Sequence, residues 1–207
     1  MKPKIRVLIA DDHAVVRAGL ATLLGTEGDF VVVAYAKNGD EAISKALESR
    51  PDVVIMDLRM PEKDGVEATI ELRRRLPSAK VLILTSFGEA DGVAHALESG
   101  AAGAITKTAE DAELVSVVRR IASGEKYVSA EIRKLLLESP PVPKLTPRQQ
   151  EILGYLAKGL TNRDIAEILR IREDTVEEHV NLLLVKIEAT NRTEAVTIAM
   201  RKQLVGH

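Results

Sequence analysis

Short apolar runs alternate with amphipathic stretches along the first 122 residues of the chain. The apolar runs lie at residues 5–10, 30–35, 52–57, 80–84 and 103–106, and four of the five are rich in Val, Ile and Leu. Near-continuous apolarity over so few residues is typical of strands buried on both faces of a sheet. Helices with core-facing stripes are predicted between these runs, at about 13–25, 39–49, 64–75, 89–98 and 110–122.

Five strand–helix units in succession predict an α/β fold with a doubly wound parallel sheet of five strands. The flavodoxin-like strand order 2-1-3-4-5 is the expected arrangement. In that order strands 1 and 3 are neighbours, so residues at their carboxyl ends lie close together.

The pattern changes to helix alone after residue 144. Thr146 is a good N-cap, Pro147 suits the first helical position, and Gly159 is a plausible helix end. The sequence predicts helices at about 147–158, 162–169, 173–187 and 192–203. It therefore predicts an α/β domain at 1–124, a connector at 125–143 that ends in a proline-rich stretch, and a small all-α domain at 144–207.

Composition excludes several classes of function. The net charge is −2, cysteine is absent and aromatic residues make up 2% of the chain. Disulfides, thiolate metal sites and thiol catalysis are therefore excluded, and a stacking platform for single-stranded nucleic acid is disfavoured. The first apolar run meets Asp11 and Asp12 too early for a signal peptide or a membrane span, so we expect a cytoplasmic protein without a membrane partner.

Polar residues follow four of the predicted strands. Asp11 and Asp12 follow strand 1, Asp57 ends strand 3, Thr85 follows strand 4 and Lys107 follows strand 5. Open α/β sheets place their sites at these strand ends, so the five side chains should meet. We expect Asp57 to accept a phosphoryl group and Thr85 and Lys107 to bind its oxygens. Asp57 is the best acceptor because it ends the central strand and faces the other acids.

The carboxylates of this group also predict a metal site. Mg²⁺ prefers oxygen ligands, which Asp11, Asp12, Asp57 and the backbone carbonyl of Arg59 would supply. Bound there, the metal would offset the charge of the phosphoryl group.

The same residues are also compatible with other interpretations. Asp11 and Asp12 could merely cap the next helix, and His13 is expected to be a surface residue at a helix start rather than a ligand. A flavin or nucleotide site would need a Gly-rich or hydroxyl-rich loop after strand 1. A hydrolase that uses the same acids would need a general acid two residues after Asp57, where Arg59 stands.

These motifs carry a resemblance to a known family. Residues 9–13 (IADDH), 56–61 (MDLRMP), 84–86 (LTS) and 105–107 (ITK) look like the receiver domain of a bacterial two-component response regulator. Residues 145–148 (LTPR), 159–166 (GLTNRDIA) and 191–195 (NRTEA) look like a LuxR-type helix-turn-helix, and the pair resembles the NarL/FixJ family. The resemblance implies that a sensor histidine kinase phosphorylates Asp57 with Mg²⁺ present. It also implies that phosphorylation releases or dimerises the effector domain, as a homodimer, on promoter DNA, and that the chain is not an enzyme beyond self-phosphorylation and self-dephosphorylation.

The resemblance also implies a set of DNA contacts in the all-α domain, where the helix at 173–187 would enter the major groove. The implied contacts are Thr161, Asn162, Thr175, Val176, Glu177, His179, Lys186 and Arg192.

This chain departs from the family pattern in that helix. Glu177, Leu182 and Val185 stand where basic or polar residues are usual, and Glu188 replaces a helix-ending Gly. Residues 144–207 carry a net charge of only +1. A protein partner in place of DNA is therefore an alternative.

Two expectations concern signal transmission. Ala104 stands where the family usually has an aromatic switch residue, and Phe87 could substitute for it. We expect the last helix to form the effector dimer face from Ala195, Ile198 and Ala199.

Overall fold

The computed structural model describes residues 3–86, 89–138, 145–201 and 204. Phe87 and the proline-rich stretch at 139–143 lie outside the described residues. The chain divides into two compact units, Met1–Pro141 and Val142–His207. The predicted domain limits at 124 and 144 stay predictions.

The first unit alternates strands and helices. Its strands are β1 (Ile5–Ala10), β2 (Phe30–Ala36), β3 (Val53–Asp57), β4 (Lys80–Thr85), β5 (Gly103–Thr106) and β6 (Tyr127–Val128). Its helices are α1 (Ala14–Thr26), α2 (Gly39–Ser49), α3 (Gly65–Arg75), α4 (Ala90–Glu98), α5 (Asp111–Ala122) and α6 (Ala130–Glu138). Each predicted element is present, and its ends differ from the prediction by one residue at most.

All strands of this unit join one parallel sheet in the order β2-β1-β3-β4-β5-β6. The predicted order 2-1-3-4-5 is thus confirmed, with one short strand added at the β5 edge. The pairing of Ala10 with Met56 on β1 and β3 places Asp11 level with Asp57. The sheet therefore places Asp11 and Asp57 side by side at the carboxyl ends of the strands. We call this end of the sheet the acidic edge.

Both faces of the sheet are covered by helices. Leu8, Val54 and Ile83 pack into one buried cluster with residues from α2, α3 and α4. Val7, Ile55 and Leu82 point the opposite way, into a second cluster with residues from α1 and α5. Because successive side chains in a strand alternate between faces, both faces need apolar residues, which explains the nearly continuous apolar runs.

The residues after α5 continue the first unit, whereas the sequence predicts a connector from residue 125. Tyr127 and Val128 pair with β5, and the amide of Ser129 donates to the carbonyl of Ala104 (3.0 Å). Ile132 of α6 is fully buried in the same cluster as Ala104. Helix α6 is therefore part of the α/β core, because its apolar side packs in the buried cluster on one face of the sheet.

The loop from β3 to α3 makes a tight backbone approach. The N–H of Gly65 donates to the carbonyl of Leu58 (3.0 Å), and a Cβ atom at Gly65 would lie 2.2 Å from the carbonyl oxygen of Asp57. Asp64 and Glu67 cap α3 with a reciprocal pair of side-chain bonds. Only glycine fits at position 65, because the neighbouring atoms belong to the backbone.

The second unit is a small bundle of helices. Its described helices are α7 (Pro147–Ala157), α8 (Asn162–Leu169), α9 (Glu173–Lys186) and α10 (Arg192–Arg201). Thr146 caps α7 and Thr161 caps α8, each in a capping box, and Gly159 takes a left-handed φ of 79° after α7. The predicted cap and helix end are confirmed.

The buried core of this unit determines which residues of α9 and α10 remain on its surface. Ala195 and Ala199 are fully buried in it, so the predicted dimer face on α10 is wrong for these two residues. Val176, Val180, Leu183 and Ile187 form the buried stripe of α9. Leu182 and Val185 lie outside it, 54% and 79% exposed.

The turn after α9 accommodates Glu188 without lengthening the helix. Glu188 adopts a left-handed φ of 56°, the conformation in which glycine is favoured. The helix ends two residues earlier, at Lys186. This left-handed conformation costs a residue with a Cβ atom roughly 1–2 kcal/mol.

Among the residues that the structure describes, no helix combines the length and the apolarity needed to cross a bilayer.

We predict that Gly65→Ala destabilises the first unit by roughly 1–3 kcal/mol, because the methyl group forces the Asp57–Leu58 backbone apart. Gly19→Ala is the matched control: it lies within α1 with no atom within 4 Å of an added Cβ. That variant should gain roughly 0.5–1 kcal/mol from helix propensity. Urea unfolding measures both, and equal effects would contradict the steric argument.

Candidate functional site

Four strand ends form one polar edge of the first unit. Asp57 is the last residue of β3, Thr85 is the last residue of β4, and Asp11 and Lys107 directly follow β1 and β5. Thr85 pairs with Thr106, and its carbonyl accepts the amide of Lys107 (2.7 Å). The parallel register therefore brings together residues that are almost 100 positions apart in the sequence.

A half-buried cation joins two buried carboxylates. Nζ of Lys107 lies 2.7 Å from Oδ2 of Asp11 and 2.9 Å from Oδ2 of Asp57. Asp11 and Asp57 are only 1% and 3% exposed. Charges buried this far from water persist only when they are paired, so the three side chains form one electrostatic unit.

The protonation equilibria of Asp57 and Lys107 shift in the same direction. Burial raises the pKa of Asp57, and the nearby charge of Asp11 raises it further, against the hydrogen bonds from Lys107 and the Arg59 backbone. Burial also opposes the charged form of Lys107, but its hydrogen bonds to Asp11 and Asp57 outweigh that effect and raise the pKa of Lys107. Lys107 is therefore a fixed positive charge at neutral pH.

Four side chains at this edge have the donor atoms of a metal site. One donor atom from each of Asp11, Asp12, His13 and Asp57 lies within 4.8 Å of the others. Nδ1 of His13 lies 2.7 Å from Asp12 and 3.3 Å from Asp11. The donor set is dominated by carboxylate oxygen, which suits a hard divalent cation such as Mg²⁺.

Helix capping does not account for the acidic pair. His13 is the N-cap residue of α1, and its side chain makes no capping hydrogen bond. Oδ1 of Asp11 instead accepts the backbone N–H of His13 (2.8 Å). His13 lies at the helix start as predicted, but its ring also contacts both carboxylates, which its position beside them in the sequence could have indicated.

Thr85 is engaged by a residue that the sequence does not single out. Its fully buried hydroxyl donates to a carboxylate oxygen of Glu89, just before α4, and it also lies 3.2 Å from the carbonyl of Ser86. Glu89 is in turn held by Nε of Arg59 (2.9 Å). The backbone N–H of Arg59 bonds to Asp57. Arg59 therefore connects the acidic edge to the threonine.

The predicted DNA contacts of the second unit differ in burial and in their bonds within the unit. Val176 is fully buried, so it packs in the core and is not a DNA contact. Lys186 donates to the side chain of Gln149 (3.2 Å), and Arg192 donates to the carbonyl of Leu160 and to Asn162. Thr161 is the N-cap of α8. These residues stabilise the bundle.

Glu177 is exposed on α9, and Thr175, His179 and Asn162 are half-buried. The exposed side of α9 carries acidic, amide and apolar side chains, namely Asp174, Glu177, Glu178, Asn181, Leu182 and Val185.

Two family models match the chain, one for each unit. Residues 7–119 match the response regulator receiver domain, and residues 143–199 match the bacterial regulatory proteins of the luxR family.

Full-length relatives and solved structures agree with these matches. The response regulator protein VraR of Staphylococcus aureus strain Mu3 is 39% identical over 206 residues, covering 97% of this chain and 99% of VraR. The crystal structure of response regulator ChrA from a heme-sensing two-component system is 36% identical, with a TM-score of 0.59, over 98% of this chain and 99% of that one. A structure of two RcsB dimers bound to DNA has a TM-score of 0.67 at 22% identity, over 96% and 98% of the two chains, which shows the shared fold.

We predict that Asp57→Asn stabilises the chain at pH 7 in the presence of a chelator. A raised pKa means that the ionised form is less favourable in the fold than in the unfolded chain. The gain should therefore shrink as the pH falls through the folded pKa of Asp57, where the wild-type group becomes neutral.

Asp29→Asn is a control that should change stability at pH 7 in the opposite direction, by lowering it. The side-chain bond from Arg119 lowers the pKa of Asp29, so its stabilising effect is present at neutral pH and is lost in acid. Denaturant unfolding at pH 7 and at about pH 3, below the usual pKa of an aspartate, compares the two variants. Destabilisation by Asp57→Asn at pH 7 would contradict the electrostatic account of the site.

Proposed function

This chain belongs to the bacterial response regulators that join a receiver domain to a luxR-family regulatory domain, and from that membership we propose that Asp57 is its phosphoacceptor. The observation that carries the proposal is the placement of Lys107 between Asp11 and Asp57 at the strand ends. A sensor histidine kinase would supply the phosphoryl group.

The transfer is a displacement at phosphorus. A carboxylate oxygen of Asp57 attacks the phosphorus, a new O–P bond forms, and the bond from phosphorus to the donor breaks. Lys107 already contacts Asp57, so its ammonium is in place to bind an oxygen of the transferred group. Thr85 would donate its hydroxyl to a second oxygen.

Asp11, Asp12 and Asp57, with the carbonyl of Arg59, would hold Mg²⁺, and the carboxylates that converge within 4.8 Å support this assignment. A divalent cation bound there supplies positive charge that offsets the charge on the transferred group. His13 contacts the same acids and would give up those contacts or share them.

The output of the protein is transcriptional regulation through the luxR-family domain. We infer that phosphorylation favours a homodimer on promoter DNA, as a regulator of this class and not as an enzyme that turns over a substrate. A kinase and promoter DNA as partners also imply a cytoplasmic location. The RcsB structure shows dimers on DNA within the same fold.

DNA contact in this chain would come from the exposed side of α9 and from half-buried Asn162, Thr175 and His179. Glu177 can accept a hydrogen bond from a cytosine amino group, and Leu182 and Val185 can contact thymine methyl groups. The acids on this face repel phosphate, so we expect modest non-specific affinity and a shallow salt dependence.

We predict that a small phosphodonor with Mg²⁺ adds one phosphate to the wild-type chain and none to Asp57→Asn. Intact mass measures the uptake, and light scattering measures the oligomer. Wild-type protein should gain mass and dimerise together, and a chelator should prevent both. Phosphate on Asp57→Asn would contradict the assignment of the acceptor.

We predict that Glu177→Lys strengthens binding of the phosphorylated protein to mixed-sequence duplex and steepens its salt dependence by about one unit of log–log slope. Glu48→Lys on α2 makes the same change in net charge away from α9 and should leave the slope unchanged. Gel shifts across a salt series measure both. Equal slopes for the two variants would contradict a DNA-facing α9, and absence of binding by wild type at low salt would favour a protein partner.

A further inference from the structure

The geometry points to Glu89 as a positioning residue that competes with the phosphoryl group for the hydroxyl of Thr85. This inference rests on the proposed function of Asp57. It concerns the hydrogen bond between Thr85 and Glu89, and Glu89 belongs neither to the acidic edge nor to the motifs that carry the family resemblance.

The competition follows from the chemistry of one hydroxyl. A threonine hydroxyl has a single proton to donate. In this structure the hydroxyl of Thr85 donates that proton to the carboxylate of Glu89. Thr85 is fully buried, so bulk water does not compete, and the carbonyl of Ser86 at 3.2 Å is the weaker of its two protein acceptors because it carries no charge. A phosphoryl oxygen on Asp57 can therefore take the proton only after Glu89 has released it.

Glu89 is held in place by more than this bond. Its carboxylate is mostly buried and pairs with Nε of Arg59 at 2.9 Å. Arg59 is in turn tied by its backbone N–H to Asp57. The arginine therefore keeps an acidic side chain beside the threonine, close to the residue that would be modified.

Phosphorylation would oppose this arrangement. A phosphoryl group brings a charge of about −1.5 to −2 and strong acceptor oxygens. It repels the carboxylate of Glu89 and competes for both the Thr85 proton and the Arg59 guanidinium. Displacement of Glu89 would move the residue that precedes the first turn of α4, so the event at Asp57 would reach that helix.

Because of this competition, Glu89 should lower the rate at which Asp57 is phosphorylated. A double-mutant cycle in the full-length protein tests this. The rate of phosphate uptake from phosphoramidate with saturating Mg²⁺ is measured by intact mass for wild type, Glu89→Ala, Thr85→Val and the double variant. Glu89→Ala should take up phosphate about five to ten times faster, the effect of removing one charge-assisted competing bond. In the Thr85→Val background the same substitution should change the rate less than about twofold, since no hydroxyl remains to be released.

Two further variants make the test specific. Glu89→Gln keeps the size of the side chain and should also accelerate uptake, because a neutral acceptor holds the hydroxyl less strongly. Glu98→Ala removes the same charge from the exposed far end of α4 and should leave the rate unchanged.

An equal gain from Glu89→Ala with and without Thr85 would overturn the inference, because the charge would then act without the threonine. An unchanged rate in Glu89→Ala beside normal uptake by wild type would also overturn it while leaving Asp57 as the acceptor. Failure of wild type to take up any phosphate is a different result, which overturns the proposed function itself.

Discussion

The ammonium of Lys107 between the carboxylates of Asp11 and Asp57 is the interaction on which the rest of this structure depends. Three strands must end at the same level for it to form, so it fixes the register of β1, β3 and β5 relative to each other. Burial raises the pKa of Asp57, and the nearby charge of Asp11 raises it further. Under the proposed function, the positive charge of a bound cation would offset this effect.

Side-chain contacts connect the residues around Asp57 with the start of α4. Arg59 reaches from the backbone beside Asp57 to Glu89, and Glu89 reaches Thr85. Ala104, where the family usually has an aromatic ring, is fully buried next to Ile132 of α6. An alanine methyl group has no rotamer to switch, so Ala104 does not offer the ring movement that an aromatic residue would make at this position.

The effector unit combines a conventional core with an unusual exposed face. The buried stripe of α9 and the capped starts of α7 and α8 build the bundle expected of a luxR-family domain. The same packing withdraws Val176 from the surface and engages Lys186 and Arg192 in bonds within the unit. Fewer cations remain for phosphate, so sequence-specific contacts and dimerisation would have to provide more of the affinity.

The sequence by itself determined the elements, the strand order and the members of the acidic edge. Strand and helix periodicity is a local property, and in a doubly wound sheet the residues at strand ends meet whatever their separation along the chain. Only the tertiary structure decided that Glu89 takes the hydroxyl of Thr85, that α6 completes the receiver core, and that Ala195 and Ala199 are buried instead of forming a dimer face. These outcomes depend on which of several chemically suitable side chains comes within contact distance, and no periodicity in the sequence encodes that distance.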